Sequence, residues 1–181
     1  MTPSQTHEAC RRYGISDYTL NADGTGDVDG NVDLNSRGLA RLPLRFGKVS
    51  GDFRCAKNRL KTLEGAPSTV GGHFDCHLNL LTTLVGAPVS VLGVFNCHDN
   101  KLTTLEGVPM RIGVDLICRD NPFEIIRKLF PHPHTKKFLE AYREWDFFAG
   151  GNKIHRHRLK EALADYGKEL PESIPGYDYL H

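Results

Sequence analysis

Cys55, Cys76, Cys97 and Cys118 stand 21 residues apart, and many other positions keep the same step. Phe53, Phe74, Phe95 and Leu116 repeat with them, as do Asn58, Asn79, Asn100 and Asn121. Leu60, Leu81 and Leu102 are followed by Phe123, and Leu63, Leu84 and Leu105 by Ile126. Gly65, Gly86 and Gly107 recur with Pro67, Pro88 and Pro109. One step back from Phe53 and Cys55 lie Val32 and Leu34, so a degenerate copy begins near Val28. A period held over four or five copies predicts a stacked solenoid, in which each unit buries its apolar edge only against its neighbours.

Within a unit, Leu92-x-x-Phe95-x-Cys97-x-x-Asn100-x-Leu102 reads as one short strand and a turn. Phe95 and Cys97 alternate into the core, Asn100 caps backbone groups at the turn, and Leu102 and Leu105 fill the interior. Glu106-Gly107-Val108-Pro109 then makes the return without a full helix.

The period also decides what the cysteines are. Cys76 beside His77, with Asp75 before it, resembles a thiol nucleophile or a set of metal ligands. A small hydrophobe repeated at an inward position is instead a packed core thiol. Neighbouring strand residues point to opposite faces, so Cys76 and His77 do not meet. Parallel strands about 4.8 Å apart also orient stacked thiols poorly for disulfides. Cys10 lies outside the ladder. There is no GxSxG, no phosphate-binding loop and no glycine-rich dinucleotide fingerprint, so the expectation is a protein that is not an enzyme and needs no cofactor.

The repeat LTTLEGxPxxVGxxFxCxxNxLTTLEG resembles that of leucine-rich repeat proteins, with phenylalanine and cysteine at two leucine positions. It is closer still to small proteins encoded by tailed bacteriophages, with units built on LEGAP and F-x-C-x-x-N-x-L. The resemblance covers residues of about 17 to 126. It implies an α+β fold, a leucine-rich repeat solenoid of short parallel strands with an N-terminal hairpin cap and a C-terminal helical cap. It further implies a protein-binding module, phage-encoded, that engages and inhibits an unidentified host protein in the cytoplasm.

The chain divides into an N-terminal segment and hairpin (1–27), the repeats (28–122), and a helical cap with tail (123–181). Residues Tyr18 to Leu34 alternate around the turn Asn21-Ala22-Asp23-Gly24. Asp23, Thr25, Asp27 and Asp29 have a spacing like a calcium loop, but Leu34 stands where a closing glutamate belongs. Beyond Asn121-Pro122 the period ends. Thr135 is placed to cap a helix carrying Phe138, Leu139, Tyr142, Trp145 and Phe148. A second helix is expected from Asn152, with Ile154, Leu159, Ala162, Leu163 and Tyr166 inward and Gly167 as its stop. The tail from Ile174 to Leu180 either packs back or stays free.

Three columns of residues flank the inward pair on the concave face. Asn31, Asp52, His73, Val94 and Asp115 form one. Asp33, Arg54, Asp75, Asn96 and Ile117 form the next, and Asn35, Ala56, His77, His98 and Arg119 the third. The candidate binding residues are Asp52, Arg54, His73, Asp75, His77, Asn96, His98, Asp115 and Arg119. His73, Asp75, His77 and His98 have the chemistry to hold zinc, but no HExxH or paired CxxC accompanies them, and no metal is expected.

With a net charge of +1 over 181 residues, composition favours neither nucleic acid nor membrane. KIHRHRLK, with Arg127, Lys128, Lys136 and Lys137, is a local basic cluster, and the alternative function it suggests is nucleic-acid binding by the C-terminal helical region through phosphate contacts. Glu161, Asp165, Glu169 and Glu172 follow it, which favours a solvated helical face. A virion component is the other alternative. No apolar run approaches the roughly 20 residues of a spanning helix, and the five cysteines form no close pairs. A soluble, cytoplasmic, reduced protein is expected. The concave face, the helical cap and the Tyr177–Tyr179 tail are the three candidate interfaces, and the oligomeric state is left open.

Overall fold

The computed structural model describes residues 2–130 and 135–181, and for 135–137 the backbone only. The chain is α+β, with short parallel strands in two open sheets and helices at both ends. Helix α1 (Pro3–Tyr13) leads into the hairpin β1 (Tyr18–Leu20) and β2 (Gly26–Val28). Nine short strands follow: β3 (Val32–Asp33), β4 (Phe46–Val49), β5 (Phe53–Arg54), β6 (Thr69–Val70), β7 (Phe74–Asp75), β8 (Ser90–Val91), β9 (Phe95–Asn96), β10 (Arg111–Ile112) and β11 (Leu116–Ile117). The C-terminal part holds α2 (Glu124–Arg127), α3 (Thr135–Trp145), β12 (Lys153–His155), α4 (Arg156–Ala164) and β13 (Asp178–Leu180).

Strands β3, β5, β7, β9 and β11 pair in parallel, each position opposite its equivalent one turn on. That register aligns like with like. Phe53, Phe74 and Phe95 are fully buried and stack at 5.4 and 5.2 Å between ring centroids, nearly coplanar at 6°. We call this sheet the phenylalanine ladder.

Each repeat holds a second strand as well, where the sequence reading placed only one. Strands β4, β6, β8 and β10 pair in parallel and continue the β1–β2 hairpin into one sheet, the valine ladder. Val49, Val70 and Val91 point into the core from it. The chain turns from one ladder to the other within three residues, as at Gly71-Gly72-His73. This corrects the pattern written from Leu92, which is 58% exposed, because Val91 takes the inward place.

The return is helix-free, as expected. Gly65, Gly86 and Gly107 take φ of 90°, 88° and 84°, and Ala66, Ala87 and Val108 donate their N–H to the carbonyls of Leu63, Leu84 and Leu105. Asparagines tie consecutive turns together. The Asn79 side-chain amide donates to the carbonyls of Cys55 and Cys76 at 3.0 Å, while its oxygen accepts from Leu60 N–H at 2.9 Å. Asn58, Asn100 and Asn121 repeat the arrangement.

The two ends differ from each other. Thr2 and Gln5 form a reciprocal capping box with Pro3 at the first helical position, and α1 buries Thr6 and Cys10. The turn Asn21–Gly24 closes the hairpin as expected, with Asn21 N–H donating to the Thr25 carbonyl at 2.8 Å. At the other end, Phe123, Phe130, Phe138, Phe147 and Phe148 gather over the last turn. Ile154 is buried, but in β12 rather than α4. Gly150 and Gly151 turn the chain with positive φ, Phe148 bridges Ile154, and the helix begins only at Arg156. Gly167 ends it, with Lys168 N–H donating to the Leu163 carbonyl at 3.0 Å. The tail packs back: β13 pairs with β12, and the Tyr177 hydroxyl donates to the Thr103 carbonyl at 2.9 Å. The capping expected from the Thr135 side chain lies outside the described residues. No helix among them is long and apolar enough to cross a membrane.

All five thiols are buried, and burial pushes those of the ladder up, that of Cys118 to about 12. Thiolate is the reactive form. A disulfide reagent such as 5,5′-dithiobis(2-nitrobenzoate) is therefore expected to leave the ladder thiols unmodified in the native protein and to titrate all five in denaturant. Fast native reaction of more than one thiol would contradict this packing.

Candidate binding face

The residues alternating with the inward Phe and Cys side chains form the three expected columns, and their hydrogen bonds divide them by role. The first column is bonded to the stack itself. Asn31 Oδ1 accepts from Asp52 N–H at 2.7 Å, Asp52 Oδ1 from His73 N–H at 2.7 Å, and His73 Nδ1 from Val94 N–H at 2.9 Å. Each of these side chains satisfies a backbone donor one turn on, at the corner between the ladders. Each also lies over a glycine. A Cβ on Gly51, Gly72 or Gly93 would come within 2.2, 2.1 or 2.7 Å of the Asn31, Asp52 or His73 acceptor atom. Val94 offers no acceptor, and one turn on Val114 replaces the glycine.

Asp115 and Glu124 finish the phenylalanine ladder. Phe53, Phe74 and Phe95 donate their N–H to a carbonyl of the next turn. Leu116 has no next turn, and Asp115 Oδ1 accepts from it at 2.8 Å. Glu124 Oε2 likewise accepts from Asp120 N–H at 2.6 Å, where Leu78 and Asp99 donate to the following turn. Asp52, His73 and Asp115, candidates from sequence, thus hold backbone donors. Nothing in the sequence marks the bonds of Asp52 and His73 locally, since each joins residues a full turn apart, whereas Asp115 serves its immediate neighbour.

In the other columns Asn35 Oδ1 accepts from Ala56 N–H at 2.7 Å, and the groups beyond it are free of that duty. Arg54 is turned to Asp52 at 2.6 Å and Arg119 to Asp120 at 3.1 Å, both well exposed. His77 and His98 stack face to face, 4.5 Å between centroids and 8° from parallel. His77 Nδ1 lies 2.7 Å from Asp75 Oδ1, and His98 Nδ1 lies 2.6 Å from Asn96 Oδ1. Loss of water holds His98 below the ordinary histidine value of 6.5, and the charges of His77 and Arg119 add to the effect. Its folded form therefore disfavours the proton. The associated stability is complete above pH 6.5 and is lost as pH falls through the lower folded value. In urea titrations, the wild-type midpoint is expected to fall from pH 7.5 to pH 5 by more than that of His98→Gln.

Beside these columns, Ser36, Lys57, Leu78, Asp99 and Asp120 take φ between 52° and 57°, a left-handed conformation unfavourable to side chains bearing a branched or bulky group. Leu78 is the one with no polar group to offset that cost, and it is 45% exposed. Leu78→Gly is expected to stabilise the protein by about 0.5–1 kcal/mol, read as a raised urea midpoint.

The valine ladder has an outer face too, which the one-strand reading missed. A groove of about 800 Å³ runs across it, lined by Thr19, Lys48, Thr69, Gly71, Ser90 and Leu92. The trace in the sequence was the inward series Val49, Val70, Val91, whose alternate neighbours had to point out.

Among the described residues no group of three or more His, Cys, Asp or Glu side chains is arranged to hold a metal ion. His73 is turned to Val94 N–H rather than toward His77 and His98. In the hairpin, Asp23 accepts from Thr25, Asp27 from Asn21 and Lys48 N–H, and Asp29 from the Ser50 hydroxyl. In the basic segment, Arg158 donates to the Asp146 carbonyl, Arg156 lies over the Tyr179 ring, and His157 is 3.8 Å from Glu161. Comparison with protein-family models, with curated proteins and with solved structures finds no match.

Proposed function

We propose that this is a leucine-rich repeat protein without catalytic activity that binds another protein through the outer face of the phenylalanine ladder. The supporting observation is the division of labour on that face. Asn31, Asp52, His73 and Asp115 hold the backbone, whereas Arg54, His77, His98, Ile117 and Arg119 make no hydrogen bond that the stack needs. Rigidly spaced side chains on a fixed backbone lose little entropy on binding, and arginine is a frequent source of interface energy. The resemblance of the repeats to those of small phage proteins makes the partner a cytosolic host protein that the phage product inhibits.

The test is affinity capture from a bacterial lysate with wild type and with the variant Arg54→Ala, His77→Ala, His98→Ala, Arg119→Ala. Circular dichroism and urea titration first establish that the variant is folded. A host protein retained by wild type and lost from the variant is the expected result. Equal retention by both would overturn the assignment to this face.

A further inference from the structure

The small net charge of the chain is unevenly spread. Between Leu34 and Lys61 stand eight lysines and arginines and one carboxylate, Asp52, which Arg54 takes. Lys48 lies on the valine ladder. The other six, Arg37, Arg41, Arg45, Lys57, Arg59 and Lys61, are exposed on the turns that leave the phenylalanine ladder and on the returns behind them. Arg119, Arg127 and Arg158 are each turned to a carboxylate, but among the described residues none of the six has an ion pair or a side-chain hydrogen bond. The backbone beneath them is fixed. Asn58 Oδ1 accepts from Arg37 N–H at 3.0 Å, and Lys57 and Arg59 donate theirs to the carbonyls of His77 and Leu39 at 2.9 and 2.8 Å. The register sets Arg59 beside Gly38 and Lys61 beside Ala40, so the charges of two turns interleave. The carboxylates nearby are Glu64, which shares a hollow with Arg41 and Arg45, and Asp23, which feels the charge of Arg45.

A groove of about 770 Å³ opens beside this cluster, between α1 and residues 38–43, with Gln5, Tyr13, Leu39, Arg41 and Pro43 along its walls. Tyr13 is half-buried and carries the Arg12 guanidinium 5.8 Å from its ring centroid. We propose that the six side chains, with Arg12 and Tyr13, form a surface for the phosphate backbone of a nucleic acid. Charge complementarity argues for a polyanion, and the missing apolar centre argues for this one. Among the described residues every exposed large hydrophobic side chain, from Leu78 to Val114, belongs to a later turn. A protein interface is built around a desolvated apolar or aromatic core, whereas phosphates need only closely spaced cations, and guanidinium groups grip them in bidentate fashion. The groove gives a base room beside the phosphates, against an aromatic ring and a guanidinium plane. This surface is carried by other residues than the outer face of the phenylalanine ladder and does not depend on a protein being bound there.

The test is fluorescence anisotropy of end-labelled single-stranded DNA, single-stranded RNA and duplex DNA, each about 20 nucleotides long, titrated with the full-length protein from about 20 to about 200 mM KCl. Six phosphate contacts predict that log affinity falls against log salt with a slope of about −4 on single strands and about −5 on duplex. Arg41→Ala, Arg59→Ala and Lys61→Ala in one chain, shown to be folded by circular dichroism, are expected to weaken binding at least about tenfold at low salt and to remove about half of that slope. Lys153→Ala with Lys160→Ala, in the basic C-terminal segment, is expected to bind like wild type. Tighter binding of one probe with that salt dependence supports the proposal and tells RNA from DNA. Failure to bind any probe at about 20 mM KCl would overturn it, as would a triple variant that binds like wild type. Equal affinity for poly-glutamate would overturn it too, and would reassign the surface to an acidic protein segment.

Discussion

Exchanging Asn79 for alanine is expected to lower the free energy of unfolding by about 3 kcal/mol, measured as a shift in urea midpoint at constant slope. Asn79 is buried, and its side chain bonds two neighbouring turns at once. Its amide donates to the carbonyls of Cys55 and Cys76, and its oxygen accepts from Leu60 N–H. Alanine removes these bonds and strands the buried Leu60 N–H, while the Cys55 and Cys76 carbonyls keep the amides of Asn58 and Asn100. The stranded donor costs about 1–3 kcal/mol, each bond lost from a carbonyl adds about 0.5–1.5 kcal/mol, and a buried position limits relief by water. Thr82→Ala, at an exposed site three residues on, should change stability by no more than about 0.5 kcal/mol. A loss below about 1 kcal/mol for Asn79→Ala would mean that water replaces the asparagine between the turns.

Gly107→Ala is expected to cost about 3 kcal/mol or more, by a different mechanism. Gly107 has φ of +84°, which a side chain rarely adopts, and its Cβ would stand 2.3 Å from the backbone of Leu84 and Val85. No rotamer change can relieve a contact with backbone, so the turn must move away from the one before it. Gly24→Ala separates the two causes. Gly24 has φ of +79° but nothing within 4 Å of the added carbon, and its replacement should cost only about 1–2 kcal/mol. Equal losses at both glycines would place the whole effect in the backbone conformation. A larger loss at Gly107 assigns the excess to the close approach of successive turns.

What was legible in the sequence was what repeats. Phe53, Phe74 and Phe95, the cysteines and the asparagines occupy equivalent places because stacking in register lets identical side chains meet, which leaves identity at a fixed step. The hairpin was legible from Asn21-Ala22-Asp23-Gly24 because a tight turn needs those residue types. The valine ladder was not, although Val49, Val70 and Val91 keep the step. Strands of two residues are too short to show alternation, and the pattern was anchored one residue late, on Leu92. Helix α1 was passed over because its signal is polar, a Thr2-Pro3-Ser4-Gln5 capping box rather than an apolar stripe. Ile154 was assigned to α4 by its spacing to Leu159 and Ala162, and the glycine pair before it decided otherwise. On the face, the columns themselves were readable. Which of their members hold the backbone was not, though Gly51, Gly72 and Gly93, each lying under such a side chain, are its visible consequence.

The carboxylates of Asp115 and Glu124 have an implication for the size of the molecule. The internal turns bond to the turn before and the turn after through backbone carbonyls and asparagines that recur at each step. Such a stack carries no intrinsic length. Whole turns could enter or leave between Phe53 and Phe95 while every remaining pair met an equivalent partner. What ends the stack is local: two acidic side chains stand in for the carbonyls of a turn that is not there, and the aromatic cluster covers the side on which it would have packed. Length is therefore written at the boundary, in a few residues, while the interior is free to be counted in turns.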